Sequence, residues 1–322
     1  GYNNAGQLGD STKTTRSSPV QVPGTTWKSC FRAGHTSGAT KTDGTLWAWG
    51  ANTYGALGQN NLTQRSSPVQ VGSATDWQRA AAADGRTSYG IKTDGTLWAW
   101  GYGNHGQLGI NVGGPGARRS SPVQIPGTTW RSIEAGQNHA IATKTDGTLW
   151  GFGQSADGNL GVNNNTGRSS PIQIGAGTDW STQVAAQDSS WALKTDGTLW
   201  AWGHNGNGQL AQNDTAHRSS PVQVPGSWSS IANGNNVNML TYSGYRSMLA
   251  INTSGELYAW GYNEDAVLGT NNKVYYSSPI QVGSDTTWSK IISTNGGAAA
   301  IKTDGTLWVW GENQYGLLGQ NQ

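Results

Sequence analysis

Charge is scarce in this sequence. Only 12% of its 322 residues are Asp, Glu, Lys or Arg, against about 25% in an ordinary soluble chain. The net charge of +2 is too small for a protein whose main task is to grip phosphate backbones, so no nucleic-acid partner is expected. Apolar residues are also few, at 34%, and no run approaches the roughly 18 needed to span a bilayer as a helix, which argues against membrane insertion. A single cysteine, Cys30, excludes an intramolecular disulfide and leaves the redox compartment open. Disorder, in turn, calls for high net charge and few aromatics, and this chain has neither, with 17 Trp and 11 Tyr. The remainder is Gly, Ser, Thr, Asn and Gln, the composition of turns joining many short strands. The chain starts at Gly1 with no secretory leader pattern, as expected of a processed chain or a piece of a longer one.

Signatures of catalysis are equally sparse. His35, His105, His139, His204 and His217 fall at different repeat positions, so no pair has metal-ligand spacing. Neither H-E-x-x-H nor G-x-S-x-G is present. Gly101-Tyr-Gly-Asn-His-Gly106 matches the dinucleotide pattern, but no helix follows it to receive a pyrophosphate. No catalytic residue, metal or cofactor is expected, and the chain reads as a non-enzyme.

What is present is repetition. Lys41-Thr-Asp-Gly-Thr-Leu-Trp-Ala-Trp-Gly50 recurs, with variation, from Lys92, Lys144, Lys194, Asn252 and Lys302. Ser-Ser-Pro-Val/Ile-Gln-Val/Ile begins at Ser17, Ser66, Ser120, Ser169, Ser219 and Ser277. A Gly-x-Leu-Gly-like turn starts at Gly6, Gly55, Gly106, Gly158, Gly208, Ala266 and Gly316. Repeats therefore run approximately 1-49, 50-100, 101-152, 153-202, 203-260 and 261-310, with 311-322 starting a further one.

Each period reads as four short strands. Asp43-Gly44 and Asp94-Gly95 are the tips of hairpins, expected as two-residue type I′ turns with positive φ at both residues. Leu97-Trp98-Ala99-Trp100 alternates, so two indoles share one face of the following strand. Ser-Ser-Pro and the Trp segment supply the remaining strands, with Pro suited to a strand start or an edge. Such a sheet cannot bury both faces alone, so an all-β propeller of four-stranded blades is expected, a solenoid being the second choice. Sixteen of the 17 Trp fall at two repeat positions, among them Trp47, Trp98, Trp150, Trp200 and Trp308. Recurrence at every repeat marks blade packing, each buried indole removing about 150–250 Å² from water. Trp191 alone departs from the pattern.

Ala135-Gly136-Gln-Asn-His139-Ala-Ile and Trp100-Gly101 followed by Gly106-Gln-Leu-Gly109 resemble the regulator of chromosome condensation repeat family. The resemblance spans essentially the whole chain and implies a β-propeller, seven-bladed in most members. On that design the chain stops about 39 residues short of one more ~51-residue period. The resemblance further implies either nucleotide exchange on a small GTPase, the best-known family activity, or a role like that of the family's low-charge bacterial and phage members. The near-identical repeats look like the latter.

Departures from the repeat point to binding. Repeat five spans 23 residues from Trp228 to Ile251 where the others span 13 or 14. The extra loop carries Asn236, Met239, Tyr242, Tyr245 and Arg246, types enriched in interface centres, and is the expected partner-binding segment. Arg16, Arg65, Arg119, Arg168 and Arg218 form either an anion-attracting ring or local hydrogen bonds to neighbouring backbone or to an acid such as Asp43 or Asp94; the local reading is preferred. The function expected is a non-enzymatic propeller module, extracellular or virion-borne like an adhesin or phage fibre, presenting loops to a protein or glycan. Exchange factor and lectin are the alternatives.

Overall fold

The computed structural model describes residues 1–83, 86–229, 240–243, 247–294 and 297–312, and among these every regular element is a β-strand. The chain divides into two compact units, residues 1–154 with 166–176, and residues 155–165 with 177–322. The first holds three sheets: β1 (Trp27–Ala33), β2 (Thr36–Lys41), β3 (Leu46–Gly50) and β4 (Arg65–Gln70); β5 (Trp77–Ala83), β6 (Thr87–Lys92), β7 (Leu97–Tyr102) and β8 (Arg118–Gln124); β9 (Trp130–Ala135), β10 (His139–Lys144), β11 (Leu149–Gly153) and β12 (Arg168–Gln173). The second holds β13 (Trp180–Ala185), β14 (Ser189–Lys194), β15 (Leu199–Gly203) and β16 (Arg218–Val224); β17 (Leu240–Ser243), β18 (Ser247–Ile251), β19 (Leu257–Gly261) and β20 (Tyr276–Gln281); and the three-stranded β21 (Trp288–Thr294), β22 (Gly297–Lys302) and β23 (Leu307–Gly311). Each sheet, here called a blade and numbered 1 to 6, is an antiparallel meander in chain order.

Blades do not coincide with sequence periods. Ser-Ser-Pro was expected to lie upstream of the Trp strand within one sheet. Instead it is the fourth strand of the preceding hairpin, as β8 on β7 with Trp98 opposite Gln124. Prolines sit inside these strands rather than at their starts, which is tolerated because each is the sheet's edge. The Ser17 copy of the motif lies in no strand.

The hairpin tips also differ from expectation. In blade 2, Gly95 N–H donates to Lys92 C=O (3.0 Å) and Lys92 N–H to Thr96 C=O (3.0 Å), closing a three-residue loop. Gly95 has φ 77°, whereas Asp94 is absent from the positive-φ residues. The tip is therefore a type I turn followed by a left-handed glycine, not the two-residue type I′ turn. Asp is selected by its side chain rather than by a left-handed backbone. Asp94 Oδ1 accepts Thr96 N–H (2.9 Å) and Thr96 Oγ1–H (2.7 Å), and Thr96 Oγ1 accepts Trp98 Nε1–H (2.9 Å). Asp43, Thr45 and Trp47 repeat this chain, as do Asp146, Thr148 and Trp150. These hydrogen bonds from Thr hold Asp43, Asp94 and Asp146 below the usual carboxylate range.

The alternating strand sorts its residues as expected. Leu97 and Ala99 are fully buried on one face; Trp98 and Trp100 lie on the other, 6.5 and 6.0 Å from the Trp77 ring. Trp77 reaches them across β6 at Gly90, where a Cβ would stand 2.5 Å from its ring. The Leu–Ala face of one blade then shares a core with the indole face of the next: Leu46 and Ala48 with Trp77 and Trp100, and Leu199 and Ala201 with Trp228 and Trp260. The inner indole of each pair also ties itself to an upstream Gly-x-Leu-Gly turn. Trp49 Nε1 donates to Gln7 C=O (3.0 Å), Trp100 to Ala56 (2.8 Å), Trp202 to Asn159 (2.8 Å), Trp260 to Gln209 (2.9 Å) and Trp310 to Val267 (2.8 Å). Blade 3 carries Phe152 at this position, and Tyr89 Oη–H donates to Gln107 C=O (2.6 Å) in the indole's place.

Candidate functional site

In five blades the lysine that opens the hairpin motif folds back between two indoles. Lys41 Nζ stands 4.8 Å from the Trp27 ring centroid and 4.2 Å from that of Trp47. Lys92 is 5.2 Å from both Trp77 and Trp98, and Lys144 is 4.8 and 4.3 Å from Trp130 and Trp150. Lys194 lies 5.0 and 5.3 Å from Trp180 and Trp200, and Lys302 4.9 and 4.2 Å from Trp288 and Trp308. Three of them also reach an aspartate: Asp76 (3.1 Å), Asp179 (3.2 Å) and Asp285 (2.9 Å). The two rings meet edge to face, so the ammonium meets electron-rich faces on two sides. The outer indoles Trp47, Trp98, Trp150 and Trp200 are thus half-buried ring partners of lysine, while the inner indoles carry the blade-to-blade packing. Trp308 is 50% exposed on β23, which has no fourth strand beside it among the described residues.

Blade 5 breaks this arrangement at four positions together. Asn252 replaces Lys, Ser254 replaces Asp, Glu256 replaces Thr and Tyr258 replaces the outer Trp. The turn survives because Asn252 Oδ1 accepts Glu256 N–H (2.9 Å) and Ser254 N–H (3.0 Å), the office Asp performs elsewhere. The aromatic pair survives too, with Trp228 and Tyr258 centroids 5.6 Å apart at 83°. The lysine does not. Where it would fold back, a cavity of about 410 Å³ opens, lined by Trp228, Tyr258, Asn252, Ser278 and two prolines, Pro225 and Pro279. Glu256 bonds to two of the lining residues, receiving Asn252 Nδ2–H and lying 3.5 Å from Tyr258 Oη. Burial and that carboxylate raise the Tyr258 phenol above its ordinary value.

The sequence profile of the regulator of chromosome condensation (RCC1) repeat matches residues 43–87, 94–143, 196–240 and 254–299, and a second profile of the same repeat matches 130–159. These matches cover more than half of the chain. The chain belongs to the RCC1 repeat family. No curated protein sequence matches it. Among solved structures it is similar to human WBSCR16, with a TM-score of 0.77, 20% identity, and coverage of 92% of this chain and 79% of that one. It is similar also to Prp20p from Saccharomyces cerevisiae, with a TM-score of 0.72, 19% identity, and coverage of 91% and 74%. A further structure, of yeast RCC1 (Prp20) bound by Kap60, gives 0.71 at 19% identity, covering 88% and 70%. At these identities the likeness carries the fold, an all-β propeller of four-stranded blades.

In this RCC1-repeat chain the other sequence-derived candidates are distributed as follows. Asn236, Met239, Tyr245 and Arg246 lie outside the described residues, and Tyr242 is placed only as a backbone position on β17 opposite Met248. Three of the five arginines bond locally, and to neighbouring acids or backbone rather than to Asp43 or Asp94: Arg16 Nε to Asp10 (3.0 Å), Arg119 Nη1 to Arg118 C=O (2.9 Å), and Arg218 to Asp214 and to Ala216 C=O (2.8 Å). Asp43 and Asp94 are engaged by their own turn threonines, which is why they do not serve. No group of three or more potential metal ligands is found among the described residues. Trp191 is fully buried in the second unit's core, sharing a cluster with Trp228 and Trp260. The aromatic site of blade 5 was missed, although its signal was legible in Asn252-Thr-Ser-Gly-Glu-Leu-Tyr258 beside its five Lys-Thr-Asp-Gly-Thr-Leu-Trp counterparts.

The first strands of neighbouring blades approach one another within each unit, β5 beside β1 and β9 and β17 beside β21. On β9, burial pushes the Glu134 carboxyl up to about 7, with Arg79 opposing. Fully buried His139, opening β10, is pushed down to about 4 and is neutral at pH 7. Because the folded-state pKa of Glu134 exceeds its unfolded value, its stabilising effect is full below about 4.3 and is lost as pH rises through 7. Glu134→Gln should therefore stabilise the protein by about 1 kcal/mol at pH 8, partial exposure screening the rest, and leave it unchanged at pH 4. Urea midpoints at the two pH values check this; equal shifts at both would refute the assignment.

Proposed function

We propose that this chain is a non-enzymatic, protein-binding propeller module. The observation that carries the reading is the RCC1-repeat propeller it shares with Prp20p, whose structure is described together with its binding to Gsp1p and histones. Blades locked by buried indoles form a rigid frame, and such frames recognise partners through positions where one repeat differs from the rest. Blade 5 is that position in the described residues. Secretion, a virion setting and glycan binding, expected from composition and repeat regularity, gain no support from the fold or the comparisons. Panning a displayed protein library on the immobilised native chain should return clones that bind in solution and are competed by free chain. Clones that bind the heat-unfolded chain equally well would overturn the reading.

Nucleotide exchange on a small GTPase is the second reading, favoured by the likeness to Prp20p, which binds Gsp1p, and by the family's best-known activity. Its readout is release of a fluorescent guanine nucleotide from a GTPase panel. Acceleration of ten-fold or more by micromolar chain supports it, and a flat rate across the panel removes it.

A further inference from the structure

We propose that the blade-5 cavity is a recognition site for an alkylammonium head group, supplied in trans where the other blades supply lysine in cis. The inference deepens the protein-binding reading by naming the chemistry the site accepts, and its lysine-side-chain arm rests on that reading.

Three observations converge. First, the corresponding pair of rings, two indoles, holds an ammonium in every blade that has a lysine to offer, with Nζ between 4.2 and 5.3 Å from the centroids. The geometry is thus a cation site five times over within this one chain. Second, blade 5 keeps an edge-to-face aromatic pair, Trp228 and Tyr258 at 5.6 Å and 83° with a phenol in place of the outer indole, and loses the lysine that occupies it elsewhere. The volume of about 410 Å³ left beside them exceeds what one lysine side chain needs, so a methylated or quaternary ammonium also fits. Third, a carboxylate is bonded to two of the lining residues. Glu256 sits where other blades have Thr, bonded to Asn252 and beside Tyr258 Oη. Among the described residues no cation is recorded over Trp228 or Tyr258. Asn252 could not have been a smaller remnant of the same contact, because its amide is spent on the turn and on Glu256. Pro225 and Pro279 on the lining add apolar walls suited to the methylenes of an alkyl chain.

Two sources share this chemistry, a lysine side chain of a protein partner and a small quaternary ammonium compound. Calorimetric titration of the full chain separates them. The arms are choline, its neutral isostere 3,3-dimethylbutan-1-ol, N-acetyl-lysine methylamide and the trimethylated form of that amide. The expected result is binding of at least one cation about ten-fold or more tighter than the neutral isostere, because the charge meets two ring faces and a nearby carboxylate. Preference for the lysine amides assigns the partner side chain, and preference for choline assigns the small molecule. Asn252→Lys combined with Ser254→Asp rebuilds the internal occupant and returns the turn's acceptor to the position it holds in the lysine blades, and should abolish binding while preserving the fold by circular dichroism. Glu256→Gln should weaken it several-fold with no change in fold. Equal affinity for choline and its isostere, unchanged binding in the Asn252→Lys, Ser254→Asp variant, or no binding of any cation at millimolar concentration would each overturn the proposal. Cation binding without any protein partner would leave the site standing and sink the protein-binding reading alone.

Discussion

Trp100→Ala is expected to destabilise the chain by about 4 kcal/mol, read as a fall in the thermal or urea midpoint. Its side chain is fully buried, in a cluster with Leu46, Leu57, Val71 and Trp77 drawn from two blades and the turn between them. Truncation opens a cavity at the seam where blade meets blade, and that seam holds three chain segments at once. It also strips the Ala56 carbonyl of its indole donor. Trp98→Ala, one turn of alternation away, should cost only about 1–2 kcal/mol. Trp98 is half-buried, and what it loses is a lysine contact and a hydrogen bond to Thr96. The pair tests which indole holds blades together; equal losses would contradict the assignment. A finer test lies in blade 3. Phe152 cannot donate, and Tyr89 donates to Gln107 C=O instead, so Tyr89→Phe should cost about 1–3 kcal/mol although it removes one oxygen. Burial also raises the Tyr89 phenol far above its ordinary value, so that donor stays protonated across the working pH range.

These contrasts show what sequence alone could convey. Period, strand number and the Leu/Trp division of faces follow from alternation and spacing, and Leu97, Ala99 and Trp100 lie where those rules place them. Ring donors and acceptors do not follow, because Trp100 and Ala56 are 44 residues apart and meet only after two blades pack. The hairpin type was misjudged for a local reason. Asp-Gly signals type I′ when both residues take positive φ, but here the next residue, Thr96, offers a hydroxyl and an amide to the Asp carboxylate and holds it in a type I turn. Strand allocation failed because hydrophobic pattern says that Ser-Ser-Pro-Val-Gln is a strand and not which hairpin it joins. The expected binding loop drew attention by its length, whereas the cavity comes from substitutions at positions of constant length, Asn252, Glu256 and Tyr258. Length changes are conspicuous in a repeat; exchange of a charged residue for a polar one is not, until the ring pair is seen with and without its ammonium.

Gly101→Ala is expected to be as damaging as losing the buried indole beside it, at about 3 kcal/mol or more. Gly101 has φ 101°, where an L side chain is strained, and a Cβ there would stand 2.2 Å from the Arg86 carbonyl oxygen. That oxygen accepts Tyr102 N–H (2.8 Å), so the clash cannot be relieved without breaking the contact that ends the strand. Gly101 also marks the irregularity by which β7 shifts register against β8 between Ala99 and Gly101. The same geometry recurs at Gly50, φ 103° and 2.3 Å from His35 C=O, and at Gly153, φ 108° and 2.4 Å from Asn138 C=O. Glycine after the inner aromatic is therefore required by backbone approach and not by turn flexibility. Gly72→Ala is the control, since φ there is 63° and nothing lies within 4 Å of the added Cβ. It should lose only the left-handed strain of about 1–2 kcal/mol. Should Gly101→Ala and Gly72→Ala show equal midpoints in urea, crowding at the carbonyl contributes nothing and the inferred reason for the Trp-Gly pair is wrong.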